Sequence, residues 1–348
     1  MTNRARSGAV CAALICLAVQ AAPAMASETV TTTTTTAVPG APAPGHLVLA
    51  LENVGGNPPF ELLGATMTVR GTVTPYVAGQ TVSVTFYLTG QKVGEENVAV
   101  LPGANGTGTV HFTYSTRFGG LAEAAVSHAA TAQQAAFSAR SPGVRFVSAA
   151  VGPGSKGQSV RLLQSELNAL HYAVPLNGDF DEATGHALIA YRKMVGLYRD
   201  ALAGKQVFEL LKHGVGAFHV RYPRDGRHVE ADLTRQVLAE IEPGGRVYAI
   251  YPISSGKPST PTVIGHFNVY SKTFGENSDG MVDSNYFIRG YAIHGYHEVP
   301  TYPASHGCLR VWIPSAPAIY GWVRLGTPVD VYYENGGGSH RTRGNAGP

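Results

Sequence analysis

Ser305-His306-Gly307-Cys308-Leu309-Arg310, with Ile293-His294-Gly295 upstream of it, is the stretch on which the whole chain turns. Cys308 is one of three cysteines, and the other two, Cys11 and Cys16, fall in an N-terminal segment patterned as an export leader. The mature chain is then expected to carry a single thiol with no internal disulfide partner. That thiol is flanked by histidine and glycine, and a second histidine stands fourteen positions before it. It is either buried packing or a reactive group.

A cysteine attacks only as its thiolate, and an ordinary thiol with a pKa of ~8.5 is mostly protonated at neutral pH. A histidine within hydrogen-bond reach can take that proton and later return one to a leaving amine. Both His294 and His306 are candidates. His306 would share a face with Cys308 if the segment were an extended strand, whereas His294 ends a predicted strand and would arrive from a neighbouring one. Gly295 leaves its carbonyl open to hold an imidazole in one tautomer. Gly307 permits a tight backbone path before the nucleophile, with amide N–H groups turned toward a developing oxyanion.

Around this site the pattern from Phe218 to Tyr333 is that of strands. Val229, Ala231 and Leu233 alternate with Glu230, Asp232 and Thr234, which predicts a half-buried strand. Val237, Ala239 and Ile241 continue after a break, and Pro243-Gly244-Gly245 turns the chain into an apolar strand at Val247 to Tyr251. Further strands are expected at Gly265 to Tyr270, Tyr286 to His294 and Pro328 to Tyr333, with a helix between Ser315 and Val323. Residues 334–348 are Gly-rich and polar and are expected to be a disordered tail.

The preceding segments differ in kind. Arg4 and Arg6, the apolar run Ala9 to Val19 and Ala24-Met25-Ala26 predict a signal peptide over 1–26. The run is about half the ~20 residues that a membrane span requires, so no transmembrane segment is expected after cleavage and the mature protein is expected to be exported. The formal charge of +3 falls by two with Arg4 and Arg6, which leaves no basic field suited to nucleic acid. Thr31 to Thr36 with Pro39, Pro42 and Pro44 make 27–45 a Thr/Pro-rich linker. Val82, Val84, Phe86 and Leu88 alternate with polar residues, and Met67-Val69 and Val110-Phe112-Tyr114 repeat the pattern between Gly- and Pro-rich turns. Such strands predict an all-β, immunoglobulin-like sandwich over 46–148. In 151–214, Val160, Leu163, Leu167 and Leu170 fall at helical spacing behind Ser159 as N-cap. Ala187 to Val195 predicts a second helix and Lys205 to Lys212 a third, making a small all-α module.

That helical segment resembles the small peptidoglycan-binding domain found beside wall enzymes. The likeness runs through Gly154, Gly157, Val160, Leu163-Gln164, Leu167, Asn177-Gly178-Asp179-Phe180, Thr184 and Gly204. Asn177 stands where that family usually has Asp, and Asp181 where it usually has Gly. Residues 217–333 resemble the L,D-transpeptidase catalytic domain, the penicillin-insensitive cross-linking enzymes of bacterial walls. Here the likeness is carried by His294-Gly295, by Ser305 to Arg310, and by the earlier Ser255-Gly256-Lys257 and Thr260-Pro261-Thr262. The resemblance implies a multidomain wall protein whose C-terminal domain is mostly β. It implies Cys308 as nucleophile and His294 as general base and acid. Gly295, Ser305, His306 and Gly307 would be supporting or oxyanion residues, and Arg310 a contact for a substrate carboxylate. It also implies acyl transfer between peptidoglycan stem peptides through a Cys308 thioester, with loss of a terminal D-Ala and formation of 3→3 cross-links. No metal or other cofactor is required. Three alternatives stay open on the residues alone. Water could intercept the thioester, giving an L,D-carboxypeptidase. A relic site could leave only wall binding. His294, His297, Glu298, His306 and Cys308 also include zinc-ligand types, although their spacing fits no zinc pattern.

Overall fold

The computed structural model describes residues 41–334 and the backbone of a short strand, Thr342–Arg343. The expected leader, most of the Thr/Pro stretch and nearly all of the expected tail lie outside the described residues. From His46 to Val147 the chain forms two sheets. In one, His46–Glu52, Thr66–Thr74 and Gly108–Ser115 run antiparallel side by side. In the other, Thr81–Leu88 lies between Gln91–Ala99 and Gly120–His128. The alternation in sequence decides which side chains meet: Val82, Val84 and Phe86 join Met67, Val69, Phe112, Val126 and Phe146 in one buried cluster.

Three helices follow, α1 (Gln158–Ala169), α2 (Glu182–Met194) and α3 (Lys205–Lys212). The expected N-cap of α1 is displaced. The helix starts at Gln158 behind Gly157, and the Ser159 hydroxyl instead accepts from the Ser148 amide at 3.2 Å. Local propensity lost here to a contact with the preceding sheet segment. Asp181 does cap α2, accepting from the Thr184 amide at 2.8 Å.

The polar residues of the wall-binding resemblance are engaged with one another. Gln164 is fully buried. It donates to Asn177 Oδ1 (2.8 Å), the Asp179 carbonyl (3.0 Å) and Thr184 Oγ1 (2.9 Å), and accepts from the Gly178 amide (2.8 Å). Gln164→Leu would keep the volume and strand these partners, so we expect a loss of about 2–4 kcal/mol of stability. Chemical denaturation of the full chain would measure it, and an unchanged midpoint would count against this role.

Sequence patterning suggested that the helical segment holds its own core. Instead its apolar residues share one cluster with both neighbours. Val160, Leu163, Leu188 and Phe208 pack with Phe60, Leu62 and Val147 on one side and with Val237, Ala239, Ile241 and Ile250 on the other. The described residues from Pro42 onward form one compact unit.

The C-terminal segment has two further sheets. One orders Arg246–Pro252, Val237–Glu242, His228–Asp232, Pro328–Tyr332 and Gly265–Asn268, with Thr342–Arg343 at its edge. The other orders Ser271–Glu276, Val282–Ile288, Tyr291–Tyr296 and Leu309–Trp312. Val229, Leu238, Phe267, Ile293, Leu309 and Val329 fill the space between them. A 3-10 turn at Ile313–Ser315 leads into α4 (Ala316–Trp322), slightly shorter than the helix expected there.

Three expectations need correction. The single strand expected over Tyr286 to His294 is a hairpin, because Arg289, at φ +48°, and Gly290 turn the chain between Val282–Ile288 and Tyr291–Tyr296. Strand Ser271–Glu276 had no counterpart in the sequence reading. Glu230 and Asp232, placed on a polar face by alternation, are almost wholly buried. The Arg221–Tyr222 backbone covers Glu230, whose carboxylate accepts from both amides (2.9 and 2.7 Å) and from Tyr332 Oη (3.1 Å). Among the described residues no helix is long and apolar enough to cross a membrane.

Candidate active site

Strands Tyr291–Tyr296 and Leu309–Trp312 are parallel neighbours, with Ile293 opposite Leu309 and His294 opposite Arg310. Ile293, Leu309 and Val311 face the apolar interior. The alternate residues therefore share the other face, Ala292 and His294 on one strand and Arg310 on the next, and Cys308, just before the second strand, reaches the Gly290 carbonyl and the Ala292 backbone. Residues far apart in the motif pair thus converge on one surface.

His294 is buried, and its Nδ1 lies 2.9 Å from the Gly295 carbonyl. A carbonyl only accepts, so Nδ1 carries the proton and Nε2 keeps its lone pair. Burial pushes the imidazole down to about 4; the carbonyl contact resists this and the Arg310 charge adds to it. Gly295 has a second use. A Cβ there would come within 2.8 Å of Ala316 Cβ and 3.1 Å of Ile313 Cα, so only glycine lets the 3-10 turn approach the strand.

Cys308 is the free thiol among the described residues, and it is partly exposed. Its Sγ reaches the Gly290 carbonyl at 3.7 Å. Burial pushes the thiol above its ordinary value, the Ala292 amide and Arg310 pull it back, and Asp279 pushes it further up. A raised thiol beside a lowered imidazole means that both groups rest neutral at pH 7. A thiol in this state would need a base to take its proton as it attacks, since no standing thiolate is present.

The loop before Cys308 is pinned from two sides. Ser305 Oγ donates to the Cys308 carbonyl (2.7 Å) and accepts from the Gly307 amide (3.0 Å). Thr262 Oγ1 donates to the Gly307 carbonyl (2.8 Å) and accepts from the Gly256 amide (2.9 Å). The Ser305 amide bonds the Ser255 carbonyl (2.9 Å), while Ser254 exchanges backbone bonds with Arg310 (3.0 and 3.1 Å). Because the Gly307 amide is committed to Ser305, an oxyanion would draw on other amides.

His306 departs from the extended geometry expected of it. Gly307 sits at φ +121°, so Ser305 to Cys308 is a bend in which the shared-face argument does not apply. His306 is exposed, with Nε2 3.3 Å from Lys257 Nζ. Arg310 is largely buried, its guanidinium 4.1 Å from the Tyr296 ring centroid and its Nη1 3.5 Å from the Glu298 carbonyl. Among the described residues it has no carboxylate partner. Asp283 is buried and accepts from the Gly275 amide at 2.8 Å.

Two contributors had no sequence signal, Tyr291 against Gly307 and a neighbouring cleft of about 680 Å³, while Thr262, part of the family resemblance but without a role in it, lies beneath the loop. The cleft runs between α2 and the outer ends of the two site strands, where His186 stacks on Trp312 at 4.7 Å.

Residues 226–331 match the model of the YkuD family, the L,D-transpeptidase catalytic domain. The chain belongs to that family. An L,D-transpeptidase from Xylanimonas cellulosilytica is 35% identical, over 53% of this chain and 98% of its own, with a TM-score of 0.49. One from Stackebrandtia nassauensis is 20% identical over 52% and 94%, with a TM-score of 0.35. An Enterococcus faecium L,D-transpeptidase is 27% identical over 31% and 50%, with a TM-score of 0.28. No curated protein matches the chain.

The resting protonation of this transpeptidase-family site has a thermodynamic consequence. With His294 at about 4 in the fold and about 6.5 unfolded, the unfolded chain binds the proton first as pH falls. The stabilising effect is therefore complete above pH 6.5 and is lost between 6.5 and 4, by about 3 kcal/mol in all. Urea unfolding across that range should show a steeper loss for the wild type than for His294→Gln. Equal slopes would contradict the buried neutral imidazole.

Proposed function

We propose that the protein is an exported wall L,D-transpeptidase with Cys308 as nucleophile and His294 as general base and acid. The observation that carries this is the convergence of the Cys308 thiol and the Nδ1-pinned His294 on one face of two parallel strands. Sulfur attacks the carbonyl of the third, diamino residue of a tetrapeptide stem while His294 Nε2 takes its proton. Collapse of the tetrahedral adduct breaks the peptide bond, and the same proton goes to the departing D-Ala amine. A side-chain amine of a neighbouring stem then attacks the thioester, gives up a proton to His294, and releases the 3→3 cross-linked product with the thiol restored. Ser305 and Gly307 hold the loop, His306 with Lys257 borders its exposed side, and Arg310 receives a substrate carboxylate. In this reading 46–148 is a sandwich domain and 151–214 a peptidoglycan-binding-like domain, and together they place the catalytic segment 217–333 at the wall.

The test is incubation of the mature protein with disaccharide-tetrapeptide, followed by mass spectrometry. Dimer lacking one D-Ala is expected. Tripeptide without dimer would make the enzyme an L,D-carboxypeptidase, and no product would reject the stem-peptide donor.

A further inference from the structure

α2 sends one charged side chain out of the helical segment and into the catalytic sheet. Lys193 is only 3% exposed. Its ammonium donates to the Gln236 carbonyl at 3.0 Å and the Ile253 carbonyl at 2.8 Å. Among the described residues no carboxylate pairs with it, and a buried cation is then costly unless its hydrogens are satisfied; burial together with nearby Arg199 pulls it down to about 7. A methionine would fill the same space without that penalty. The location of the two acceptors supplies a reason for the charge.

Both carbonyls lie one step from the nucleophile loop. The Gln236 side chain accepts from the Ser255 amide (2.9 Å) and donates to Ser255 Oγ (2.7 Å). Ile253 precedes Ser254 and Ser255, whose backbones hold Arg310 and Ser305 on either side of Cys308. An unbroken series of hydrogen bonds thus runs from α2 to the loop that carries the thiol. Arg199, just after α2, adds a second tie by donating to the Thr301 carbonyl.

We infer that Lys193 is a positioning residue, which fastens α2 beneath residues 253–255 and so sets where the Cys308 loop sits. The helical segment then completes the catalytic framework in addition to any wall binding. This rests on Cys308 standing at the reacting centre, but its test does not require turnover.

In the full mature chain, well below the melting temperature, Lys193→Met should change the rate of Cys308 alkylation by iodoacetamide roughly fivefold or more. It should also speed amide exchange over 302–309 by about tenfold, and lower kcat by about tenfold with little change in KM. Lys193→Arg should recover most of each effect, and Gln236→Leu, which breaks the next link, should reproduce them. Phe208→Leu, a core change in α3, serves as a destabilised control. The inference is overturned if Lys193→Met matches Phe208→Leu in alkylation and exchange. If Lys193→Met does not fold, unchanged values in Gln236→Leu overturn it equally. A wild type that alkylates normally yet processes no stem peptide rejects the proposed function, while the alkylation comparison still decides the role of Lys193.

Discussion

Cys308→Ala is expected to lower turnover on tetrapeptide stems by more than about a thousandfold while leaving the fold intact. The thiol lies 3.7 Å from the Gly290 carbonyl and near the Ala292 amide, and is partly exposed. Removing one partly exposed sulfur takes away few packed atoms, so stability should stay within about 0.5 kcal/mol. Loss of activity with an unchanged melting curve would place the defect in the chemistry. Measurable turnover by the alanine variant would end the thiol mechanism. Because both partners rest neutral, the wild type should also alkylate slowly near pH 7 and faster as pH rises through the thiol's elevated range. A rate already at its plateau at pH 7 would show a standing thiolate and contradict the assignment of protons.

Gly307→Ala should be almost as damaging for a different reason. At φ +121° an L side chain is strained, and a Cβ built there would lie 1.7 Å from Tyr291 Cε1 and 2.4 Å from Cδ1. The loop has little room to retreat, since its amide is held by Ser305 and its carbonyl by Thr262. Tyr291 begins the strand that carries His294, so relief on either side moves His294 or Cys308, the two groups proposed to react. Misplacement of about 1 Å can cost on the order of a hundredfold, and we expect at least that loss in kcat together with a lower melting temperature. Adding Tyr291→Ala should recover part of the stability but little activity, because the backbone strain at 307 remains. Near-normal activity in the single variant would show that the loop is looser than its hydrogen bonds imply.

The parts legible in sequence were those with short-range causes. Alternation in Val82 to Leu88 and helical spacing in Val160 to Leu167 located elements because burial periodicity is local. The His294-Gly295 and Ser305 to Arg310 segments stand out by residue type, and they lie on or beside neighbouring parallel strands. What escaped depended on distant partners. Ser159 gave up its capping role to Ser148, and Glu230 was buried by a backbone segment that alternation cannot foresee. Lys193 carried no signal in the sequence, because its acceptors lie 43 and 60 residues further along. His306 was misjudged because a single positive φ at Gly307 undid the extended geometry assumed for it.

Strand Val237–Glu242 turns Leu238 toward the other sheet and Val237, Ala239 and Ile241 toward the helices. A graft of 217–333 onto another carrier would leave that second set bare to water, along with Ile250. Contiguous bare apolar surface of this kind drives self-association, so the graft would precipitate or bind its own copies. The smallest transplantable piece therefore begins upstream of Val151, and a shuffled gene that kept the thiol motif without its helices would inherit the chemistry but lose the solubility to use it.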